Sequence, residues 1–104
     1  MLIAKQQIGA HAAPYIIAEL GVNHDGSVDR ALELTHAAAD AQADAIKLQL
    51  FKTDALMSRA AKLAAYQKAA GETDPISMLR RLELSIDQMA TIVDAAHKLG
   101  LHTI

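Results

Sequence analysis

The chain contains 104 residues, enough for one small domain or for a piece of a larger one. Hydrophobic residues make up 52% of the sequence, the net charge is −2 with acidic and basic residues interspersed, and cysteine is absent. These values argue against intrinsic disorder, give no electrostatic reason to expect nucleic acid or an anionic membrane as a partner, and exclude disulfides and thiolate metal sites. The sequence has no recognisable signal peptide and no apolar run near the roughly 20 residues that cross a bilayer, so we expect a cytoplasmic protein.

The first half of the chain predicts two strands separated by a helix. Residues 2–8 alternate loosely and favour a short leading strand. The nearly continuous apolar run 15–20, bounded by proline and glycine, is typical of a buried strand in a parallel sheet. Ser27 is a candidate helix cap, and apolar residues at helical spacing predict an amphipathic helix over 28–42.

The second half predicts one more strand, further helices and the start of a third strand. Residues 45–51 alternate aliphatic and polar side chains, as a strand does, and the section after them favours helix around 60–70. The remaining predicted elements are a short helix opened by Asp74-Pro75 and ending at Leu82, a helix that begins at a Ser85–Gln88 capping box and ends at Gly100, and a strand from Leu101.

Strands that alternate with helices predict βαβ units, a parallel sheet and right-handed crossovers. Three such strands leave open edges and one uncovered face of the sheet. We therefore expect an α/β chain that is truncated within its third strand.

Polar side chains interrupt both buried strands near their carboxyl ends. Glu19 lies in the first strand, and Lys47 and Gln49 lie on one face of the second. If the strands are neighbours, the three side chains converge at the carboxyl edge of the sheet, where α/β barrels build active sites. A Glu19–Lys47 ion pair without a chemical role remains the alternative.

The loop after the first strand adds two candidates on the same rim, Asn23 and His24. A lone loop histidine is also commonly solvated or caps a turn, so ligand contact is one of two interpretations. The histidines of the chain show no paired ligand spacing, and we therefore predict no metal site within this segment.

Two stretches in this order resemble the sialic acid synthase family, which includes N-acetylneuraminate, legionaminate and pseudaminate synthases. Residues 15–26, YIIAELGVNHDG, are similar to the family's opening IIAEIGVNHNG, and residues 43–51, ADAIKLQLF, are similar to its ADAVKFQTF strand. Tyr66-Gln67 and residues 78–85, MLRRLELS, resemble the family's YQ and MLKKLELS segments. The resemblance extends over nearly all of the chain from Pro14 onward.

The resemblance implies a (β/α)₈ TIM barrel, which typically takes about 250 residues. Residues 1–104 would then be its N-terminal portion: a leading strand, the first two βα units and the start of the third strand. Family members condense phosphoenolpyruvate with an N-acetylamino sugar such as N-acetylmannosamine, giving a nonulosonic (sialic) acid and phosphate. They use a divalent metal, Mn²⁺ or Mg²⁺, whose ligands would lie outside this segment, and they form homodimers. The segment alone is expected to be inactive.

By resemblance, Glu19 would orient the attacking water or act as general base. Lys47 would clamp the phosphate or carboxylate of phosphoenolpyruvate, and Gln49 would hold sugar hydroxyls. Asn23 and His24 would shape the rim of the substrate site. Two other readings are a different phosphate-handling barrel, such as an aldolase or a related synthase, and a non-catalytic remnant that associates with other proteins.

The sequence departs from the family pattern at the end of the first helix and in the second strand. Gln42 stands where the family usually has glycine, at a position that favours a left-handed backbone, and this costs roughly 1–2 kcal/mol of stability. Leu48 and Leu50 replace the commoner Phe and Thr on the side that faces the helices.

Overall fold

The computed structural model describes residues 1–56 and 75–104, and it has the α/β organisation that the sequence predicts. The described elements, in chain order, are β1 Leu2–Ile3, β2 Gln6–Gln7, β3 Ile17–Glu19, α1 Val28–Asp40, β4 Ala45–Lys47, α2 Thr53–Leu56, α3 Pro75–Leu82, α4 Ile86–Lys98 and β5 His102–Thr103. The predicted helical section around 60–70 and the proposed cap Asp74 lie outside the described residues. In residues 1–56 and 75–104, no helix has the length and apolarity needed to cross a bilayer.

Strands β3, β4 and β5 form a parallel sheet in that order, which confirms the predicted βαβ arrangement. Ile17 pairs with Ala45, and Glu19 pairs with Lys47. The paired parts of the strands are shorter than the predicted strands: β3 and β4 share three register pairs, and β4 and β5 share two. The backbone continues the pattern slightly further, since the amide of Leu20 donates to the carbonyl of Lys47 at 2.9 Å.

The predicted leading strand over 2–8 is wrong, because this segment is a hairpin. Strands β1 and β2 pair antiparallel, with Leu2 opposite Gln7. Ala4 and Lys5 make the turn with φ angles of 47° and 73°. Positive φ at both central residues is characteristic of tight hairpin turns, which usually contain Asn-Gly or Asp-Gly. Ala-Lys carries no such signal, so the alternation of the segment was indistinguishable from that of one short strand.

Local signals set the starts of both long helices as predicted, while α1 ends at Asp40, two residues before the predicted end. The Ser27 hydroxyl accepts a hydrogen bond from the Arg30 amide at 3.2 Å and caps α1. Ser85 and Gln88 form both bonds of the capping box at the start of α4. Gln42, just past α1, has a φ of 65°, which is the left-handed backbone expected at this position.

Helices α1 and α4 pack together against one face of the sheet. Ile46 and Ile92 are fully buried in this core, and three small residues, Ala31, Ala38 and Ala96, let the helices approach closely. The opposite face of the sheet carries Ile17, which is 46% exposed, and the exposed side chains of Glu19 and Lys47. The fold therefore presents the two charged residues on the face that the helices leave open.

Candidate functional site

The centre of the candidate site is an ion pair between neighbouring strands. Glu19 and Lys47 are register partners, so their side chains project from the same face of the sheet, and Lys47 Nζ lies 3.1 Å from Glu19 Oε2. The predicted convergence of these two residues is confirmed. Within the described part of the chain, the lysine side chain is 50% exposed and the glutamate side chain 40%, so the pair is only partly buried.

Both oxygens of the Glu19 carboxylate are engaged. While Oε2 faces Lys47, Oε1 accepts a hydrogen bond from the Gly21 amide at 3.2 Å. One contact comes from the adjacent strand and the other from the loop that follows β3. The carboxylate is therefore held in one orientation at the carboxyl end of its strand.

Gln49 joins the same rim through the backbone of the first loop. Its Nε2 donates to the Gly21 carbonyl at 3.3 Å. A Cβ atom at position 21 would lie 3.0 Å from three atoms of Gln49, so glycine allows this close approach. The other amide atom, Gln49 Oε1, accepts no hydrogen bond from the described residues, and the residue is exposed.

Asn23 lies at the exposed tip of the first loop, close to the same strand end. Its backbone amide donates to the Leu20 carbonyl at 2.8 Å, and its Nδ2 donates to the Glu19 carbonyl at 3.4 Å. These bonds fold the loop back over the end of β3. The structure thus brings together Glu19, Lys47, Gln49 and Asn23 at the carboxyl edge of the sheet.

His24 lies beneath this rim and has no exposed surface. Its Nδ1 accepts a hydrogen bond from the Gly26 amide at 3.0 Å, so the ring caps the turn, and a neutral ring carries its proton on Nε2. Nε2 is buried and has no hydrogen-bond partner among the described residues. Burial lowers the pKa of His24, with the neighbouring Asp25 carboxylate opposing the shift. Direct contact of His24 with substrate stays a prediction.

The first loop is also fastened to α3, a contact that the sequence analysis missed. Gly26 has a φ of 73°, and a methyl group at this position would overlap the Arg81 carbonyl oxygen. A cavity of about 360 Å³ lies at this junction, lined by Asp25, Met78, Arg81 and Leu82. The sequence signal for this contact is the MLRRLELS segment, residues 78–85, which contains the residue that Gly26 touches.

Beyond the rim, Glu83 ties the end of α3 to the start of α2. Its carboxylate accepts a hydrogen bond from the Thr53 amide. The hydroxyl and the amide of Thr53 together lower the pKa of Glu83. This contact orients the segment that follows β4 and is remote from the ion pair in the chain.

A second polar cluster lies at the opposite, amino end of the sheet. Asp44 Oδ2 accepts from the Ile16 amide at 2.7 Å, and this bond, followed by a hydrogen bond from the Gln6 side chain, lowers the pKa of Asp44. The Tyr15 hydroxyl and His102 Nδ1 lie 2.6 Å apart, and their rings stack. The Gln6 contact joins the hairpin to the sheet, and the Tyr15 contact joins the segment before β3 to β5.

The metal that the resemblance implies does not fit the described residues. In residues 1–56 and 75–104, no group of three or more histidine and acidic side chains is arranged to hold a metal ion. Glu19 is the acidic residue of the candidate site, and its carboxylate already contacts the Lys47 ammonium and the Gly21 amide. No chemical step is therefore assigned to a metal here.

Comparison with known proteins gives consistent matches. The sequence profile of the NeuB family matches residues 34–104. The chain is 40% identical over 95 residues to an N,N'-diacetyllegionaminic acid synthase of Legionella pneumophila, covering 89% of this chain and 27% of that protein. It is 39% identical over 93 residues to the spore coat polysaccharide biosynthesis protein SpsE of Bacillus subtilis, covering 88% of this chain and 24% of SpsE. It is 52% identical over 42 residues to a pseudaminic acid synthase of Campylobacter jejuni, covering 40% of this chain and 12% of that synthase.

A solved structure supports the fold assignment. The crystal structure of SpsE from Bacillus subtilis superimposes with a TM-score of 0.70 and 29% sequence identity, covering 100% of this chain and 26% of that chain. The chain thus spans about a quarter of the length of the first three curated relatives. The prediction of an α/β fold corresponding to a portion of a larger barrel is confirmed.

Proposed function

From the premise that this chain belongs to the NeuB family, we propose that it forms the N-terminal part of a phosphoenolpyruvate-dependent synthase. The reaction joins phosphoenolpyruvate to an N-acetylamino sugar and gives a nonulosonic acid and phosphate. Relatives named as legionaminic and pseudaminic acid synthases support this class of product. The complete enzyme is proposed to be a cytoplasmic homodimer, and this segment alone to be inactive.

The observation that carries the proposal is the Glu19–Lys47 pair at 3.1 Å on the face of the sheet opposite α1 and α4. Carboxyl ends of parallel strands are where α/β barrels bind their substrates. A half-exposed ion pair contributes only about 0–1 kcal/mol to stability, so stability gives little reason to keep two charges on this face. A binding site for an anionic substrate is a better explanation for the two charges.

Lys47 is proposed to bind the phosphate or carboxylate of phosphoenolpyruvate. Its ammonium is half exposed and already oriented by Glu19, so an anion approaches it without displacing the protein core. Binding of an anion would weaken the contact between Lys47 and Glu19. The new hydrogen bond from the ammonium to the anion offsets this loss, because hydrogen bonds to an ionised group are roughly twice as strong as neutral ones. As phosphate leaves, the same ammonium stabilises the charge that develops on it.

Glu19 is proposed to orient the water that adds to the cationic carbon, or to accept its proton. In the proposed sequence the enol carbon of phosphoenolpyruvate attacks the sugar aldehyde, water adds to the resulting centre, and phosphate leaves by cleavage of a C–O bond. The two contacts of the Glu19 carboxylate restrict its rotation, which favours catalysis by positioning. A carboxylate positioned next to the attacking water is a common general base in enzymes.

Gln49 and Asn23 are proposed to hold the sugar. The unengaged Gln49 Oε1 is an acceptor for a sugar hydroxyl, while Nε2 stays on the Gly21 carbonyl. Asn23 Oδ1 is a second acceptor at the tip of the loop, since Nδ2 is used by the Glu19 carbonyl. Any ligands for a divalent metal, Mn²⁺ or Mg²⁺, are proposed to lie outside this segment.

The test is a chimera in which residues 1–104 replace the matched quarter of the Legionella pneumophila synthase. We expect phosphate release that requires both phosphoenolpyruvate and the amino sugar of that synthase. Lys47→Ala in the chimera raises the KM for phosphoenolpyruvate at least about tenfold, corresponding to about 1.4 kcal/mol of lost binding. Lys98→Ala, at the exposed end of α4, is the matched control and leaves this KM unchanged.

Two results overturn the proposal. One is a chimera with a cooperative unfolding transition and no substrate-dependent phosphate release. The other is a normal KM in the Lys47→Ala variant. Synthesis by the purified 104-residue chain contradicts the separate proposal that the segment is inactive by itself.

A further inference from the structure

The His24 ring is fully buried under the first loop and uses its two nitrogens unequally. Nδ1 accepts a hydrogen bond from the Gly26 amide at 3.0 Å. Nε2 is buried as well and has no hydrogen-bond partner in residues 1–56 and 75–104. A backbone N–H only donates, so the contact at Nδ1 requires a ring nitrogen without a proton. The closed loop therefore requires a neutral ring that carries its proton on Nε2.

Gly26 joins this loop to helix α3. Its amide is bonded to His24, while its Cα lies so close to the Arg81 carbonyl oxygen that an added methyl group would overlap that oxygen. The φ angle of Gly26 is 73°, a left-handed conformation that glycine adopts without strain. The loop is thus fastened at one residue, by the histidine ring on one side and by packing against α3 on the other.

The same loop carries two contacts that hold Glu19. The Gly21 amide donates to Glu19 Oε1 at 3.2 Å, and Asn23 Nδ2 donates to the Glu19 carbonyl at 3.4 Å. Backbone hydrogen bonds of 2.8, 3.1 and 2.9 Å fold residues 20–27 into consecutive turns. Because these turns share residues, a change at Gly26 is transmitted to the part of the loop that contacts Glu19.

A second proton on the His24 ring is incompatible with the closed loop. Placed on Nδ1, this proton points at the Gly26 amide, so that two donors face each other and the hydrogen bond is lost. The ring also becomes a buried cation whose Nε2 has no partner among the described residues, and burial of an unpaired charge is costly. An open loop returns both nitrogens to water. Protonation therefore favours the open loop.

Charged groups near the ring only partly offset this cost. Burial lowers the pKa of His24, and the Asp25 carboxylate on the same loop opposes the shift. Arg30 of α1 lies 3.6 Å from that carboxylate and weakens its effect on the ring. The other charged residues on elements that border the loop are Arg81 of α3 and the paired Glu19 of β3 and Lys47 of β4.

We propose that His24 is a pH-sensitive latch of the first loop. With a neutral ring the latch is closed, Gly26 lies against α3, and the loop keeps its contacts with Glu19. When the ring takes a second proton, the bond to Gly26 breaks and the loop separates from α3. The latch stands on these contacts alone and does not depend on the proposed reaction.

The direction of the pH effect follows from proton binding. The pKa of His24 in the closed loop lies below its ordinary value of 6.5, so between these two values the open loop binds a proton that the closed loop does not. The closed loop is therefore fully stable above about pH 6.5 and loses stability as pH falls through the folded value. At pH 5 the ratio of open to closed loop rises by at most about 30-fold, since pH 5 lies about 1.5 pH units below the ordinary value.

The first test measures amide hydrogen exchange in the ¹⁵N-labelled 104-residue chain at pH 7.5 and pH 5. Carboxyl and guanidinium groups ordinarily keep their charges in this interval. We expect the protection factor of the Gly26 amide to fall by about 3- to 30-fold at pH 5. The Met89 amide, bonded to the Ser85 carbonyl at 2.9 Å, is the internal control and should change less than about twofold. A constant protection factor at Gly26, or an equal loss at Met89, overturns the latch.

The second test replaces the ring by an acceptor that does not titrate. The Asn side chain accepts from the amide two residues further on, so His24→Asn keeps a partner for Gly26. We expect Gly26 in this variant to show the same protection at pH 7.5 and pH 5. His36→Asn, at an exposed position of α1, is the matched control and keeps the pH dependence of the wild type. Persistence of the pH dependence in His24→Asn overturns the proposal.

The third test uses the unaltered chain, so it holds even where His24→Asn does not fold. The ¹⁵N chemical shifts of the His24 ring show which nitrogen carries the proton, and at pH 7.5 we expect the proton on Nε2 alone. A proton on Nδ1 at this pH overturns the latch. None of these measurements involves a substrate, so an inactive chimera leaves the latch standing, and a failed latch leaves the synthase assignment standing.

Discussion

Glu19 and Lys47 are register partners on neighbouring parallel strands, and their charged groups meet at 3.1 Å on the face that α1 and α4 leave open. The pairing follows from topology, because consecutive parallel strands joined by a crossover helix put equivalent positions side by side. Carboxylate and ammonium are thereby aimed at the same volume. The predictions below separate what this arrangement contributes to stability from what it contributes to chemistry.

Glu19→Gln in the chimera is expected to lower kcat by about a hundredfold, the lower end of the range for loss of a general base. The KM for phosphoenolpyruvate changes little, because Lys47 remains. Glu33→Gln, on the exposed side of α1, is the control and leaves kcat unchanged. Steady-state phosphate release measures both constants, and a wild-type kcat for Glu19→Gln removes the proposed role.

The ion pair itself is expected to contribute little to folding. A double-mutant cycle with Glu19→Gln and Lys47→Met should give a coupling energy of about 0.2–1 kcal/mol, because both side chains are 40–50% exposed. Urea unfolding of the four proteins measures this energy. A coupling above about 3 kcal/mol is typical of a buried pair and would return the site to the purely structural interpretation.

Gln42→Gly is expected to stabilise the chain by about 1 kcal/mol. Gln42 has a φ of 65°, a left-handed conformation that glycine adopts without the clash of a Cβ atom. Ala41→Gly is the control, since Ala41 has a φ of −78° and gains nothing from the change. Its unfolding free energy should stay the same or fall, and an equal increase in both variants contradicts the explanation.

Gly26→Ala is expected to destabilise the chain by more than about 2 kcal/mol. Strain from a positive φ accounts for about 1–2 kcal/mol, and overlap of the new methyl with the Arg81 carbonyl adds to it. Gly9→Ala places a methyl in open space, with no atom within 4 Å, and should change stability by less than about 0.5 kcal/mol. Similar unfolding midpoints for the two variants show that the loop is not fastened to α3.

Acid unfolding is expected to involve Asp44. Its pKa is lowered by the Ile16 amide, then by the Gln6 side chain, from an ordinary value of 3.8. A lowered pKa in the folded state means that the ionised carboxylate stabilises the fold above the unfolded value, and that this contribution is lost as pH falls through the folded value. Asp44→Asn should therefore be less stable than wild type at neutral pH, and the difference should vanish in strong acid.

Urea unfolding between about pH 2 and pH 7 tests this prediction, because this interval extends below and above the ordinary pKa of an aspartate carboxyl. Asp94→Asn, an exposed residue of α4 whose side chain has no hydrogen bond in the described ranges, is the control. Its stability should track wild type throughout. A constant difference between Asp44→Asn and wild type at all pH values contradicts the electrostatic account.

Features with a local chemical cause were predictable from sequence. The capping box at Ser85 and Gln88 formed as expected, because its two bonds join residues only three apart. The convergence of Glu19 and Lys47 required only strand periodicity and consecutive parallel pairing. Both arguments depend on spacing within a strand or helix, and spacing is visible in the sequence.

Features that depend on contacts between distant segments were not predictable in this way. His24 was expected at the rim, but it is fully buried, because its own loop folds back and its ring bonds the amide of Gly26. The cavity at Arg81 arises where α3 meets that loop, more than fifty residues away in the chain. The hairpin at Ala4 and Lys5 lacked the turn residues that announce one.

Within the described part of the chain, β3 and β5 each have one side without a hydrogen-bonded neighbour. Such open rims invite strands of other molecules to add on, and inward charges are a common defence against it. Glu19 on the edge strand β3 and Lys47 on the central strand β4 place two charges on the face that α1 and α4 leave open. The two charges that are proposed to handle substrate therefore also make it less favourable for a second apolar sheet to stack on this face.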